Sequence, residues 1–161
     1  MPGWINVDIR PEVQPDVVAD VHNMPMFDDN SASLIYFSHG IEHFTVADVP
    51  RLLREWKRIL ALGGWLYLSV PDFSIMTGLY LSGEVQLKDI VPATMGGHTN
   101  HADVHHSIWD MALMRTVLEL AGFEDVQRYE PLAFLPENFS DFSLHRIADT
   151  WISLNVRSTY Q

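Results

Sequence analysis

Residues 33–44, Ser-Leu-Ile-Tyr-Phe-Ser-His-Gly-Ile-Glu-His-Phe, set a compact apolar run directly against a cluster of ionisable side chains. Leu34 to Phe37 has the length of a buried strand. Ser38, His39, Glu42 and His43 follow at once. A buried strand that opens into polar groups at its carboxyl end is how open α/β sheets present ligand sites. Asp8 and Asp20 close two earlier strand-like runs, and Pro71-Asp72 closes a later one.

The elements around this stretch follow from periodicity. Trp4 to Ile9 alternates apolar and polar residues and predicts a strand. Asp16 to Val21 is a short β-branched run and predicts a second. Residues 33–39 are the third. Val49, Leu52, Leu53, Trp56, Ile59 and Leu60 fall on one face of a helix, with Thr45 or Asp48 as its cap, Pro50 in its first turn and Gly63-Gly64 at its end. Trp65 to Val70 is the fourth strand. Between Asp72 and Asn100 the pattern blurs, with a short helix over Ser74–Leu81. Leu113, Met114, Val117, Leu118 and Ala121 form the stripe of a further helix. It is capped by Asp110 or by a capping box from Ser107 and ended by Gly122. Phe123–Tyr129 and Trp151–Arg157 are the last strands, with loop and a turn of helix between them. Strands alternating with amphipathic helices imply an α/β domain with a mostly parallel sheet. The last two strands have no clear helix between them and predict an antiparallel pair at one edge.

Composition excludes several functions. Lys and Arg total 10 against 21 Asp and Glu, a net charge of −11. That balance opposes a nucleic-acid partner and attachment to anionic membranes by charge. The chain has no cysteine, so thiolate and disulfide chemistry are absent. Its first residues lack the pattern of a signal peptide. No run reaches the ~18–20 apolar residues of a membrane span. A single cytoplasmic domain is the expectation.

Each candidate residue has a plain reading beside a chemical one. Asp8, at a strand end, can accept from both hydroxyls of a ribose; alone it reads first as a solvated aspartate. Asp20 can accept from an adenine amino group, with Val21 and Met24 against the ring; alone it reads first as a loop acid. His39, Glu42 and His43 suit acid, base or positioning roles, or else packing and the holding of a backbone amide. His98, His101, His105 and His106, with Asp103 or Asp110, have a spacing that could gather around a metal. No Glu sits between two of these histidines, and a loop near the pocket is the preferred reading. No metal ligand is assigned.

Taken together, the segments resemble a family. Gly-Trp-Ile-Asn-Val-Asp8, Pro-Asp-Val-Val-Ala-Asp20, Met-Pro-Met-Phe-Asp-Asp-Asn-Ser31, Ser-His-Gly-Ile-Glu-His-Phe44, Leu-Arg-Glu-Trp-Lys-Arg-Ile-Leu60, Leu-Gly-Gly64, Leu-Ser-Val-Pro-Asp72 and Leu-Ala-Gly-Phe123 are similar, in this order, to the small class I S-adenosylmethionine-dependent methyltransferases. The resemblance covers most of 3–130. It implies a Rossmann-like sheet and S-adenosylmethionine as cofactor. By resemblance, Asp8, Ile9, Asp20, Val21, Ser38 and His39 line the cofactor, and His39, Glu42 and His43 stand at the acceptor side as the catalytic group. The family's first strand and its Gly-x-Gly turn would precede Gly3 and are not in this sequence. The resemblance therefore implies a sheet without its central strand, an N-terminal truncation relative to the family. Either the flanking strands pair directly, or a neighbouring copy covers the gap as a homo-oligomer, or an upstream segment fills it.

Three functions follow as expectations. The first is methyl transfer to a small-molecule or glycan-type acceptor. The second is a non-catalytic methyltransferase-like binding or oligomeric protein. The third is a metal-dependent enzyme using the His98–His106 stretch.

Overall fold

The computed structural model describes residues 3–99, 103–131, 135 and 139–161. β1 (Val7–Asp8) and β2 (Val17–Val18) form a parallel pair of their own. The Asn6 amide donates to the Asp16 carboxylate at 2.8 Å. The Val17 and Ala19 amides donate to the Asn6 and Asp8 carbonyls at 3.1 Å each. Both strands are shorter than their alternation predicts, because pairing ends where Ile9 and Val18 turn out to solvent.

The main sheet holds β3 (Ala32–Ser38), β4 (Leu60–Pro71), β5 (Glu124–Arg128) and β8 (Ser153–Thr159), in the order β3-β4-β8-β5. β3 and β4 are parallel. β8 is antiparallel to both β4 and β5. β6 (Arg146–Ile147) and β7 (Thr150–Trp151) make a short separate hairpin. The sheet is therefore mixed, which corrects the expectation of a mostly parallel one. No helical crossover leads into β8, so the chain enters reversed. The expected antiparallel edge pair is present as β5 and β8, with β8 inserted between β5 and β4. The β1–β2 pair is not hydrogen-bonded to this sheet. Among the described residues β3 pairs only with β4, leaving its other edge open. Of the three outcomes expected for a missing central strand, direct pairing of its flanks does not occur.

α1 (Val49–Ile59) buries Val49, Leu52, Leu53, Trp56 and Ile59, the face that its spacing predicts. The Asp48 carboxylate does not cap an amide; it accepts the Thr45 hydroxyl at 2.5 Å. The helix ends before Gly63-Gly64. Leu60 is already extended and pairs with Ala32. The two glycines lie inside β4, where the β3–β4 register shifts. Gly63 has φ +76, and a side chain on Gly64 would meet the Ala61 carbonyl at 2.7 Å. Here glycine makes a bulge rather than a helix stop. α2 (Phe73–Ser82) is capped by Asp72. α3 (Leu87–Met95) was not legible in the sequence; its start carries a Gln86/Asp89 capping box, and Pro92 lies within it. α4 (Met111–Leu120) is capped by Asp110 at the Leu113 amide, 2.8 Å.

One apolar core joins α1, α4 and the sheet through Trp56, Leu66, Leu68, Met114, Leu118, Leu154 and their neighbours. A smaller one gathers Met76, Leu79, Val85, Ile90, Ala93 and Ile152 around α2 and α3. Among the described residues no helix is long and apolar enough to cross a membrane.

Arg58 ties the segment after β2 to α1. Its guanidinium donates to the Phe27 and Met24 carbonyls and to Asp29 and Glu55. Glu55 in turn accepts the Met24 amide at 2.7 Å. Arg58→Met is expected to raise the amide exchange rate of Met24 and Phe27 by ~tenfold or more, with the amides of β8 unchanged, as local opening of one cooperative unit requires. Equal acceleration in both regions would contradict this anchoring.

Candidate functional site

Asp8 ends β1, and Asp20 follows β2 by two residues, so the parallel pair carries both acids to the same carboxyl side. The two are engaged differently. Arg10 forks onto Asp8, Nε to Oδ1 at 3.0 Å and Nη2 to Oδ2 at 2.9 Å, while the Arg10 amide also donates to Oδ1. That side-chain hydrogen bond holds the Asp8 carboxyl below its usual range. Asp20 accepts the backbone amide of His22 and faces its Nδ1, each at 2.9 Å, and is also held low, chiefly by the amide. Both are solvent-accessible carboxylates with lone pairs to spare. Ile9 is exposed. Val21 is half-buried, and its carbonyl accepts the Trp56 indole at 3.2 Å.

At the end of β3 the chain turns sharply. His39 has φ +46, a left-handed conformation uncommon for a residue with a side chain. Its amide still donates to the Ser69 carbonyl at 2.8 Å. Its Nε2 lies 3.0 Å from the Ser153 hydroxyl, which donates to the Phe142 carbonyl at 2.7 Å. The turn Phe142–Leu144 folds over the imidazole, with Phe142 and His145 ring centroids 5.7 and 6.3 Å away. Tyr36 of β3 pins that turn by donating to Asp141 at 2.5 Å. Burial pushes His39 down to about 4.

Gly40 leads into a one-turn 3-10 helix, Ile41–His43. Glu42 is 1% exposed, and among the described residues neither of its carboxylate oxygens has a hydrogen-bond partner. Burial pushes its carboxyl up to about 8. The Gly40 and Glu42 amides temper that rise but reach no oxygen in good hydrogen-bond geometry. His39 Nδ1 stands 3.4 Å from Glu42 Oε1. At neutral pH this pair is therefore a protonated acid facing a neutral imidazole, not an ion pair. Nδ1 of His43 lies 3.1 Å from the Val104 carbonyl.

His105 arrives from far along the chain. The amides of His106 and Ser107 both donate to the Glu42 carbonyl, at 2.8 and 3.1 Å, and the His105 amide donates to the Met95 carbonyl at 3.0 Å. The His105 ring then meets His43 edge-on, centroids 4.9 Å apart. Burial lowers its pKa, and the nearby Ala93 and Thr94 backbone opposes that shift. Glu42 and His105 line a small cavity with Pro71, Phe73, Met76 and Trp109. Of the other histidines of the predicted cluster, His98 and His106 do not join: His98 faces the Met95 carbonyl at 2.9 Å and His106 is exposed, while His101 lies outside the described residues. Among the described residues, Glu42, His43 and His105 are the three that meet. The adjacent Glu-His pair and His105 were each visible in the sequence; their meeting across 62 residues was not.

Residues 5–68 match the family model of a methyltransferase domain. Solved structures share the fold over most of this chain. An S-adenosylmethionine-dependent methyltransferase from Archaeoglobus fulgidus is 16% identical with a TM-score of 0.59, covering 95% of this chain and 74% of its own. One from Methanosarcina mazei is 15% identical at 0.56, covering 89% and 65%. One from Thermotoga maritima is 18% identical at 0.54, covering 90% and 64%. The chain thus spans less than two thirds of the last two. No curated protein matches it by sequence.

Proposed function

We propose that this chain, with a methyltransferase domain match over its N-terminal part and the fold of S-adenosylmethionine-dependent methyltransferases, binds S-adenosylmethionine at the carboxyl ends of β1, β2 and β3. The observation that carries this reading is the pair Asp8 and Asp20, ionised and accessible on neighbouring parallel strands within the matched stretch. They suit the adenosine half of the cofactor. Asp8 accepts ribose hydroxyls, with Arg10 sharing its oxygens, and Asp20 accepts the adenine amino group, with Ile9 and Val21 beside the ring. Ser38 and His39 stand where the methionine half would lie.

When bound, the cofactor supplies a methyl group activated on sulfonium. The protein's part is positioning. His39, held by Ser153, or His43 takes the acceptor's proton, and Glu42 stands beside them as a positioning group. A small-molecule or glycan-type acceptor fits the net charge of −11 better than a polyanion does. A homo-oligomer covering the open edge of β3 accompanies this reading.

That open edge, together with Ile5 and Ile9 exposed at 57% and 64% on either side of β1, also supports a second reading: a methyltransferase-like protein that assembles without catalysing. Calorimetric titration of S-adenosylmethionine, with the mass in solution measured in parallel, separates the two. The first reading expects a Kd of ~10–100 μM, weakened at least ~tenfold in Asp8→Ala. No binding up to millimolar cofactor in a folded oligomer overturns it and supports the second.

A further inference from the structure

We propose that Glu42, His43 and His105 form a binding site for one divalent transition-metal ion, zinc being the best match to two imidazoles and a carboxylate. The nearest ligand atoms of the three side chains lie within 4.8 Å of one another. A tetrahedral zinc site, with bonds of 2.0–2.1 Å, holds its ligand atoms about 3.3 Å apart. Binding therefore requires the ligand atoms to close in by up to about 1.5 Å.

Each ligand is prepared in its own way. Glu42 is almost fully enclosed, with two carboxylate oxygens that no described residue satisfies. A buried carboxyl without partners costs stability unless something fills its coordination. The His43 ring has Nδ1 against the Val104 carbonyl, which fixes the tautomer and leaves Nε2 as the free lone pair. The half-buried His105 ring stands edge-on to His43. A backbone carbonyl behind the His43 imidazole is the kind of support that metal-binding histidines use.

The backbone makes the meeting specific. Two consecutive amides, of His106 and Ser107, converge on the Glu42 carbonyl. Gly96, at φ +86, lets residues 103–105 approach so closely that a Cβ there would lie 2.5 Å from the Asp103 carbonyl oxygen. The cavity bordered by Glu42 and His105 leaves space for water as a further ligand. The inference is independent of cofactor binding. A metal would occupy Nε2 of His43, which then serves as ligand and not as base.

The test is zinc stoichiometry by elemental analysis, after the whole chain is equilibrated with zinc chloride and freed of loose ion. Cobalt(II) absorption reports the geometry. The expected result is one zinc per chain and an intense visible cobalt band. Both should be lost in His105→Ala and in Glu42→Gln, and kept in the His98→Ala/His106→Ala control. Zinc should also raise Tm in the wild type and not in His105→Ala. Should Glu42→Gln fail to fold, His43→Ala takes its place. Less than ~0.1 zinc per chain in the wild type overturns the proposal, as does binding that survives in His105→Ala and disappears in the control.

Discussion

Replacing Trp56 by alanine is expected to lower the unfolding free energy by about 3–5 kcal/mol, in the range of large aromatic deletions from a packed core. Trp56 is 1% exposed at the centre of the main core. Phe37 of β3 meets its ring edge-on, centroids 4.8 Å apart, and its indole N–H donates to the Val21 carbonyl. It therefore holds three separate pieces: α1, the end of β3 and the segment after β2. Typical domains are stable by about 5–15 kcal/mol, so the variant is left close to unfolding at 25 °C. Urea denaturation measures this. Trp56→Phe should keep most of the buried area, lose the hydrogen bond, and cost about 1–2 kcal/mol. A loss below about 1.5 kcal/mol for the alanine variant would mean that Trp56 is not the joint between these pieces.

Asp72→Ala is expected to cost about 2–3 kcal/mol, read as a fall in Tm of roughly 5–10 °C. The side chain is fully buried at the end of β4. One oxygen caps α2 through the Ser74 and Ile75 amides at 3.0 and 3.4 Å; the other accepts from Arg128 at 2.8 Å. The Asp72 amide donates to the Ile152 carbonyl at 2.7 Å, and the Phe73 amide to the Trp109 carbonyl at 2.9 Å. The capping term should dominate, because the Arg128 side chain is half exposed and water solvates it once its partner is gone. Asp72→Asn keeps an oxygen for the cap and should lose less than half as much. If Arg128→Ala alone matched Asp72→Ala, the ion pair and not the cap would be the larger contribution.

Local periodicity made some of this fold legible and geometry at a distance hid the rest. α1 was readable because five buried residues repeat at helical spacing with charges opposite. Its end was not, because Leu60 continues the apolar pattern while its backbone has already become a strand. α3 was obscured by Pro92 and by burying only Ile90 and Ala93. The antiparallel pairing of β8 with β5 was legible, because no clear helix separates them, but its insertion beside β4 was not: alternation marks a strand, not which second neighbour it pairs with. The site divides the same way. Asp8, Asp20 and His39 could be placed because each follows an apolar run and so sits at a strand end. His105 could not be joined to Glu42, because amides at 106 and 107 and a left-handed Gly96 make that contact. His39 was readable as a strand-end group, whereas its cover by Phe142 and its tie to Ser153 depend on a return of the chain more than 100 residues later.

The position of β8 between β4 and β5 also sets a schedule for synthesis. A nascent chain can form the β3–α1–β4 unit while the ribosome is still working, since its parts are adjacent in sequence. It cannot close the sheet. Until residues 153–159 emerge, β4 presents a long apolar edge and β5 has no neighbour. Contacts spanning such distances form late and slowly. A ribosome stalled before Ser153 would hold an incomplete sheet, and only the arrival of β8 would join β5 to β4.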